Sequence, residues 1–491
     1  MNLERLITAL APTDVVQRAP VEVRELAYDA RSARPGDLFF CVPGHVRDGH
    51  DFAAAAVEAG AVALVVERPL PLPVPQLVVV DARAAMARAA TTFYGDPTAE
   101  LPVVGVTGTN GKTTTAYLLA AILEAAGRQA GLLGTIEARV GGTVLPVART
   151  TPEAIDLQRT FRAMLDGGDR ACAIEASSIA ADLHRLDGTR FAALAFTNLT
   201  QDHLDYHGTL ERYFAAKRAL FTGETGGGLP PAAVSVDDAW GRRLAAELQA
   251  AAGAPLLTFG FADDADVRPE GLRLDAAGAR FTAAGMLIES RLRGRFNVAN
   301  VLGAVAVARL LGLSDAAVAA GVAGVVGVPG RFEAVAAGQP FAVIVDYAHT
   351  PDGLENVVRA ARGLAGGAGR VIVVFGAGGD RDRGKRPLMG RIAVDRADIA
   401  IVTSDNPRSE RPEAILAEVI GKSQSKLEVE PDRRSAIARA IAAARPGDVV
   451  LIAGKGHEQG QEIAGVVHPF DDRVVARDEL ARAGWDGEVA S

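Results

Sequence analysis

Between the apolar run LPVVGV and the helix-like run TTAYLLAAILEAAG lies Gly108-Thr109-Asn110-Gly111-Lys112-Thr113-Thr114. A strand, a glycine-rich turn and a helix N-terminus in that order expose backbone N–H groups and the positive end of a helix dipole to an anion. An amine at Lys112 can hold the β and γ phosphates of a nucleotide, and a hydroxyl at Thr113 can ligate Mg²⁺. The helix is supported independently, since Leu118 and Ile122, like Leu119 and Leu123, repeat at four residues. The loop is a variant: the usual pattern has glycine five residues before Gly111, and Val106 stands there, with Gly105 and Gly108 to either side.

Glu175 ends the run ACAIE, while Asp202, His203 and Asp205 follow ALAFTNL. Strands ending beside the phosphate loop would bring Glu175 and His203 to it, where oxygen and imidazole ligands could hold a second Mg²⁺. Lys217, in RYFAAKRALF, reads by itself as a surface lysine on a helix. Lysine is nonetheless informative here, because the chain has six lysines against 46 arginines and uses Arg where only a positive charge is needed. Lys112, Lys217, Lys385 and Lys455 sit inside distinctive local patterns, whereas Lys422 and Lys426 lie in a polar, solvated-looking stretch. Cys41 and Cys172 are the only cysteines, which leaves neither a disulfide framework nor a thiolate metal site and makes both packing residues.

The elements that must position these groups follow from periodicity. Residues 1–97 alternate short apolar runs with helical ones, with PGDLFFCVPGHVRDGHDF reading as strand, turn and loop before an Ala-rich helix near Phe52. From Leu101 the runs VVGVTG, AGLLGT, ACAIEAS, ALAFTNL, AAVSV and PLLTFG alternate with helices, the pattern of a mainly parallel α/β sheet. Val267 to Leu292 reads as several short strands appended to that sheet, and a helix from about Asn297 to Leu311 leads to a Gly/Pro linker near Val328. Alternation then resumes through FAVIVDY, RVIVVFGAGG, IAIVTSD and DVVLIAGKG, with helices from Asp352, near Arg386, from Pro412 and from Arg433. The expected fold class is therefore α/β in three domains: a small mixed domain over 1–97, a central P-loop domain with a mainly parallel sheet over 98–328, and a Rossmann-like domain over 329–491. The distinctive segments of the last follow strand ends, where ligands of open α/β sheets bind.

Composition narrows the function classes. Acidic residues number 60 against 52 basic ones, a net −8, which argues against binding nucleic acid or an anionic membrane through bulk charge. Hydrophobic residues at 49% and charged ones at 23% are the balance of a globular protein, and no apolar run approaches the roughly 18 residues of a membrane span. The opening MNLERLITALAPT fits neither a secretory signal nor a transit peptide, so a cytoplasmic location is expected, and separately a monomer without membrane insertion.

Taken together and in order, GTNGKTT, EASS, FTNLTQDHLDYHG, YFAAK, GRFNVAN, VPGRFE, DYAHTPD, GAGGDRDRGKRP, DNPR and GKGHE resemble the Mur ligase family, and within it the members that add a diamino acid. The resemblance runs from Asp29 to Arg473. It implies ATP-driven amide formation: the D-glutamate carboxylate of UDP-N-acetylmuramoyl-L-alanyl-D-glutamate is phosphorylated, and the amine of meso-diaminopimelate attacks the acyl phosphate. ATP is a co-substrate and Mg²⁺ the cofactor. The three domains then serve the UDP-sugar, the ATP and the incoming amino acid in turn.

The same resemblance makes Lys112, Glu175, His203 and Lys217 the catalytic set, with Thr113, Glu175, His203 and Lys217 as metal ligands and Lys217 modified to a carbamate. A neutral amine can add CO₂ to become an anion, which a guanidinium cannot do. Residues 108–114, Asn300, Arg331, Asp346 and His349 match ATP positions, and Ala30, Ser32, His45, Thr150, Thr151, Ser177 and Arg185 match those of the UDP-sugar-peptide. Ala30 stands where Ser is usual, Arg149 where Asn is common, Ile179 where His is frequent and Leu183 where Gln is found, which touches substrate contacts and not the reaction class. Arg381, Asp405, Asn406, Pro407, Arg408, Gly454 and Glu458 match the diamino-acid site, Arg408 suited to the distal carboxylate and Glu458 to the distal ammonium. Competing expectations are the same reaction with lysine or ornithine, a folylpolyglutamate synthetase or D-Ala-D-Ala-adding ligase, and a P-loop regulator that uses nucleotide for switching.

Overall fold

The strand that feeds the phosphate loop, Val103–Thr107, is buried along its whole length. A continuous apolar run of this kind belongs inside a parallel sheet covered on both faces. The computed structural model, which describes residues 1–44, 47–421 and 426–487, places it fourth in an eight-stranded sheet. The order across the sheet is Leu256–Phe259, Ala232–Ser235, Phe191–Phe196, Val103–Thr107, Ala171–Glu175, Ala130–Leu133, Ala138–Val140 and Thr143–Leu145. The first six run parallel and the last two form an antiparallel extension. Because Phe191–Phe196 and Ala171–Glu175 flank the central strand, their C-terminal ends open onto the phosphate loop from either side.

Alternate residues of these strands serve two cores. Val104 and Val106 pack with the helices Lys112–Ala125 and Arg295–Leu310, while Val103 packs with Phe161, Tyr213, Phe214 and Leu244 from the helices on the opposite face. The strands Glu270–Asp275, Gly278–Ala283 and Met286–Ser290 form a separate antiparallel sheet whose Phe281 and Ile288 join the first core, so this appendage is anchored to the central sheet. Helix Asp315–Gly324, started by the Ser314 cap on Ala317 N, and the hairpin Ala138–Val140 with Thr143–Leu145 add to the elements read from the sequence.

The N-terminal sheet has the order Asp14–Val16, Gln76–Val78, Ala63–Val66, Asp37–Phe40 and Glu25–Ala27. Its core includes Ala82, Ala85 and Met86 of the helix Ala82–Phe93, and also Ala154 and Ile155, which begin the helix Ala154–Asp166. These two helices weld the first sheet to the second.

In the C-terminal part the sheet order is Glu333–Ala334, Ala342–Asp346, Val449–Ala453, Val371–Phe375, Ile399–Val402 and Glu428–Val429, parallel apart from the first pair. Helices cover both faces. One helix start shows how local chemistry sets a boundary: Thr350 Oγ1 accepts from Gly353 N at 3.1 Å and Pro351 occupies the first turn of Pro351–Ala365. The loops after Asp346, Phe375, Val402 and Ala453 gather at one end, and a hairpin of Gly460–Ile463 and Val466–Pro469 closes beside them. No helix among the described residues is long and apolar enough to cross a membrane.

Beneath these loops Arg433 and Asp472 form a fully buried ion pair. Arg433 Nε and NH2 donate to the two carboxylate oxygens at 2.8 and 2.6 Å, and NH2 also donates to Ala453 O at 3.0 Å. Removing one partner leaves a buried charge without compensation, at a cost of about 3 to 5 kcal/mol. Asp472→Asn is therefore expected to destabilise the C-terminal sheet by that amount. Denaturant unfolding in a Trp240→Phe background, followed through Trp485 where it packs edge-on to Phe341, checks this; a loss under about 1 kcal/mol would contradict it.

Candidate active site

Gly108 and Gly111 have φ of 144° and 89°, which disfavours any side chain, and a Cβ on either would strike Thr197 Oγ1 or Asn300 Oδ1 respectively. The loop is shaped by the neighbouring strand's exit. Thr109 N donates to Asn198 O and Asn110 N to Asn198 Oδ1, both at 2.9 Å, while Thr197 Oγ1 donates to Asn110 O at 2.6 Å. Lys112 Nζ curls back to Gly108 O and Thr109 O at 3.0 and 2.8 Å, and burial lowers its pKa against the pull of Glu175 and Asp202. Thr113 Oγ1 donates to Glu175 Oε2 at 3.0 Å and accepts from Arg331 NH2 at 2.9 Å. Thr114, buried, completes the first turn.

Glu175 is held at the loop as its strand position implied. Its Oε1 accepts from Thr135 N at 2.7 Å and its Oε2 from Thr135 Oγ1 at 3.1 Å. Lys217 is no surface lysine: it is 1% exposed, donates from Nζ to Gly108 O at 2.9 Å and stands 4.5 Å from the Tyr213 ring centroid. Burial, aided by Lys112, pushes its pKa well below the usual lysine range. His203 caps a short helix at φ 53°, with its Nε2 3.5 Å from Asp202 Oδ2; burial pushes it down to about 4 against the pull of Asp202. Burial opposes ionisation of Asp202, but His203, His349 and Lys385 around it hold the carboxyl well below the usual range.

These groups line a cavity of about 1030 Å³ whose far wall comes from the C-terminal sheet: Arg331, Asp346, Tyr347, His349 and Asp352. Arg331 lies 4.4 Å over the Tyr347 ring. The carboxylate of Asp346 accepts from Phe332 N and Ala348 N at 2.6 and 2.7 Å, and burial raises its pKa to about 6. His349 Nδ1 donates to Tyr347 O at 2.9 Å, and burial lowers this imidazole to about 4. Asn300 is buried and donates to Asn297 Oδ1 at 3.0 Å. Two further bonds cross between the sheets, Asn110 Nδ2 to Asp352 Oδ2 at 2.8 Å and Gln201 Nε2 to Asp382 Oδ2 at 3.0 Å.

A second pocket of about 170 Å³ adjoins the first, and Asp202, His203, Tyr347 and His349 line both. Arg381, Asp405, Asn406, Arg408, Gly454 and Glu458 line the second, together with Lys385. Pro407 does not; its carbonyl faces Gly379. Arg408 takes a left-handed backbone, φ 53°, and is clamped there because its N donates to Glu462 O and its O accepts from Ala464 N on the closing hairpin. Its NH1 donates to Gly379 O at 2.7 Å. Glu458 is already partnered at one oxygen: its Oε2 accepts from Lys455 Nζ at 3.0 Å and Asn406 Nδ2 at 2.8 Å. Asp405 Oδ2, by contrast, is buried without a hydrogen-bond partner and faces Gly454.

Of the residues matched to the UDP-sugar-peptide, Thr150 and Ser177 line the larger cavity, and Thr151 and Arg185 stand behind them, Arg185 NH1 donating to Thr151 O at 3.2 Å. Ala30 and Ser32 lie apart on a short 3-10 turn of the N-terminal sheet, the Ser32 hydroxyl donating to Asp29 O at 2.9 Å. His45 falls outside the described residues, as does Lys422. Among the described residues no three His, Cys, Asp or Glu side chains gather as a metal site; of the four expected ligands, Thr113 Oγ1 and the Glu175 carboxylate meet directly, and Thr135 Oγ1 joins them. Thr135, Asn198 and Asp352 line the larger pocket and Lys385 the smaller without having been assigned there, while Lys455 stands behind Asn406 and Glu458; all but Thr135 carried a signal, the lysines by their rarity and Asn198 and Asp352 by their motifs.

Comparison with known proteins bears on the family. Residues 22–94 match the Mur ligase family, catalytic domain, residues 106–308 the Mur ligase middle domain, and residues 330–456 the Mur ligase, glutamate ligase domain. The UDP-N-acetylmuramoyl-L-alanyl-D-glutamate--2,6-diaminopimelate ligase of Solibacter usitatus (strain Ellin6076) is 46% identical over 99% of this chain and 99% of its own. That of Geobacillus thermodenitrificans (strain NG80-2) is 46% identical over 97% and 99%. A solved structure of a ligase of that name shares 33% identity at a TM-score of 0.67, covering 97% of this chain and 98% of the other. The MurF ligase from Thermotoga maritima in complex with ADP has the same fold, with 21% identity, a TM-score of 0.65 and coverage of 94% and 97%. With three family domains matched in order and near-half identity over almost the full length of such ligases, the chain belongs to the Mur ligase family.

Proposed function

We infer that this chain is an ATP-dependent ligase that joins meso-diaminopimelate to the D-glutamate of UDP-N-acetylmuramoyl-L-alanyl-D-glutamate, releasing ADP and phosphate in peptidoglycan precursor synthesis. The single observation that carries the mechanism is the pair of pockets meeting at Asp202, His203, Tyr347 and His349. An activated acyl group made in the larger one is reached by an amine held in the smaller one, with reacting atoms brought to about 3 to 3.5 Å. ATP occupies the larger cavity, its phosphates on the loop 108–114 and its nucleoside toward Asn300, Asp346 and His349. Lys112 exchanges the Gly108 and Thr109 carbonyls for phosphate oxygens, and Arg331 meets them from the C-terminal side. The substrate carboxylate, entering past Thr150, Thr151, Ser177 and Arg185, attacks the γ-phosphorus and displaces ADP. The diaminopimelate amine then attacks the acyl carbon and phosphate leaves.

Thr113, Glu175, His203 and Lys217 as a carbamate would hold Mg²⁺, which when bound neutralises phosphate charge. Thr113 and Glu175 fit as hard oxygen donors, and the neutral imidazole of His203 fits as a nitrogen one. Lys217 fits only as the carbamate, and its buried, deprotonation-prone amine suits that chemistry. In the smaller pocket Arg408 and Arg381 take the distal carboxylate, and Asp405 Oδ2 faces an ammonium; Glu458, neutralised by Lys455, acts through Asn406. We assign the UDP-sugar, ATP and amino acid to residues 1–97, 98–328 and 329–491, and a cytoplasmic monomer supplies every group named.

Purified protein given ATP, Mg²⁺ and UDP-N-acetylmuramoyl-L-alanyl-D-glutamate is expected to release stoichiometric phosphate only on adding meso-diaminopimelate, with lysine and ornithine poor replacements. Preference for lysine or ornithine would overturn the amino-acid assignment, and turnover independent of any acceptor the ligase assignment.

Lys217→Ala should be nearly inactive and regain part of its turnover when formate or acetate is added, because the missing element is a small anion. Turnover near that of the wild type without added carboxylate would rule out the role given to Lys217.

Arg408→Ala should raise KM for diaminopimelate by roughly tenfold to a hundredfold, the loss of a charge-assisted pair worth about 1.5 to 3 kcal/mol, while KM for ATP stays within about twofold. Equal changes in both constants would show that Arg408 supports the loop and does not contact the amino acid.

A further inference from the structure

Where the helix Ala154–Asp166 packs against Ala82–Phe93, three arginines converge on one buried carboxylate. Glu153 Oε1 accepts from Arg149 NH1 at 2.9 Å and lies 2.9 Å from Arg185 NH2, and its Oε2 accepts from Arg83 NH1 at 3.2 Å. Three guanidiniums thus share one carboxylate in direct contact. Of the other acids nearby, Asp156 is paired with Arg159, while Asp182, which accepts from the Tyr206 hydroxyl at 2.7 Å, keeps its negative charge, so the cluster carries a net excess of about one positive charge. In a chain with an overall charge of −8 such a local excess needs a reason.

The crowding is felt at Arg185. Burial lowers its pKa, Glu153 opposes, and Arg149 and Arg83 add to the lowering. Its Nε is buried without a hydrogen-bond partner, a donor for which the protein supplies no acceptor. The cluster is also continuous with the larger cavity. Arg185 holds Thr151 O, Thr151 Oγ1 donates to Glu175 O at 2.7 Å, and Ser177 N donates to Thr151 Oγ1 at 3.2 Å. Arg149, half exposed, precedes Thr150 on the cavity wall.

We propose that Arg83 and Arg149, with Arg185, form an oxyanion subsite for the UDP-sugar-dipeptide at the seam between the N-terminal and central sheets. The inference rests on the ligase reading above and adds Arg83 and Arg149 to the residues that hold this substrate. The chemistry recognised is a diphosphate or a carboxylate, both of which a guanidinium grips bidentately. Glu153 holds the three side chains in place before the substrate arrives.

Steady-state kinetics of Arg149→Asn, Arg83→Gln and the double variant test the proposal. The KM for the UDP-sugar-dipeptide should rise roughly tenfold in each single variant and further in the double one, with KM for ATP and for diaminopimelate within about twofold of wild type. Arg149→Lys, which can keep the ion pair with Glu153 but not the bidentate fork, should recover only part of the loss, whereas full recovery would assign Arg149 to holding Glu153 alone. Competition by UDP separates the two sources: an inhibition constant that rises in parallel assigns the diphosphate. An unchanged one, together with a substrate amidated at the dipeptide α-carboxylate that binds wild type and double variant alike, assigns the carboxylate. A KM for the UDP-sugar-dipeptide within twofold of wild type in the double variant overturns the proposal, as does an equal loss for all three substrates. Failure of the ligase reading is a different result, namely no diaminopimelate-dependent turnover in the wild type.

Discussion

One hydroxyl group ties the parts of this molecule together. Thr113 Oγ1 stands on the first turn after the phosphate loop, donates a hydrogen bond to Glu175 at the end of the neighbouring strand and accepts one from Arg331 at the start of the C-terminal sheet. The loop, the flanking carboxylate and the linker between two sheets thus share a single point. The group that can serve a cation beside phosphates is also the one that reports whether the C-terminal sheet is docked. Asn110 with Asp352 and Gln201 with Asp382 repeat the connection on either side, so docking is distributed around the loop.

The electrostatics of the junction follow from burial. Two amines, Lys112 and Lys217, share the Gly108 carbonyl, and each is held below the usual lysine range by desolvation. Two imidazoles, His203 and His349, are pushed down to about 4 and are neutral at neutral pH. The unliganded site therefore avoids stacking positive charge while keeping groups that can gain it, or in the case of Lys217 gain a negative one. A phosphate chain entering such a site meets amines whose burial strengthens each bond they make to it.

Much of this was legible in the sequence and some could not be. The strands that carry Glu175 and the segment after Phe196 are legible as apolar runs, because parallel strands buried on both faces leave little choice of side chain, but their order on either side of the loop comes from the structure. Lys217 was not legible from its own helix, since its burial depends on Tyr213 and on Gly108, which is 109 residues away. Nor was the neutralisation of Glu458, which needs Lys455 and Asn406 brought together by two different strand ends. Arg83 and Glu153, 70 residues apart, meet only because two helices weld the first two sheets. The hairpin around Gly141-Gly142 did carry a signal, a glycine pair between short runs, but its strands are three residues long and the second is exposed throughout, so no alternation marks them.

The central claim is that one pocket makes an activated acyl group and the adjoining one delivers the amine. The most direct measurement follows oxygen. UDP-N-acetylmuramoyl-L-alanyl-D-glutamate labelled with ¹⁸O in the reacting carboxylate is turned over with ATP and diaminopimelate, and the released phosphate is analysed by mass. Phosphorylation of that carboxylate transfers one labelled oxygen to phosphate in every turnover. Phosphate that carries no label, with peptide formed, would contradict the account.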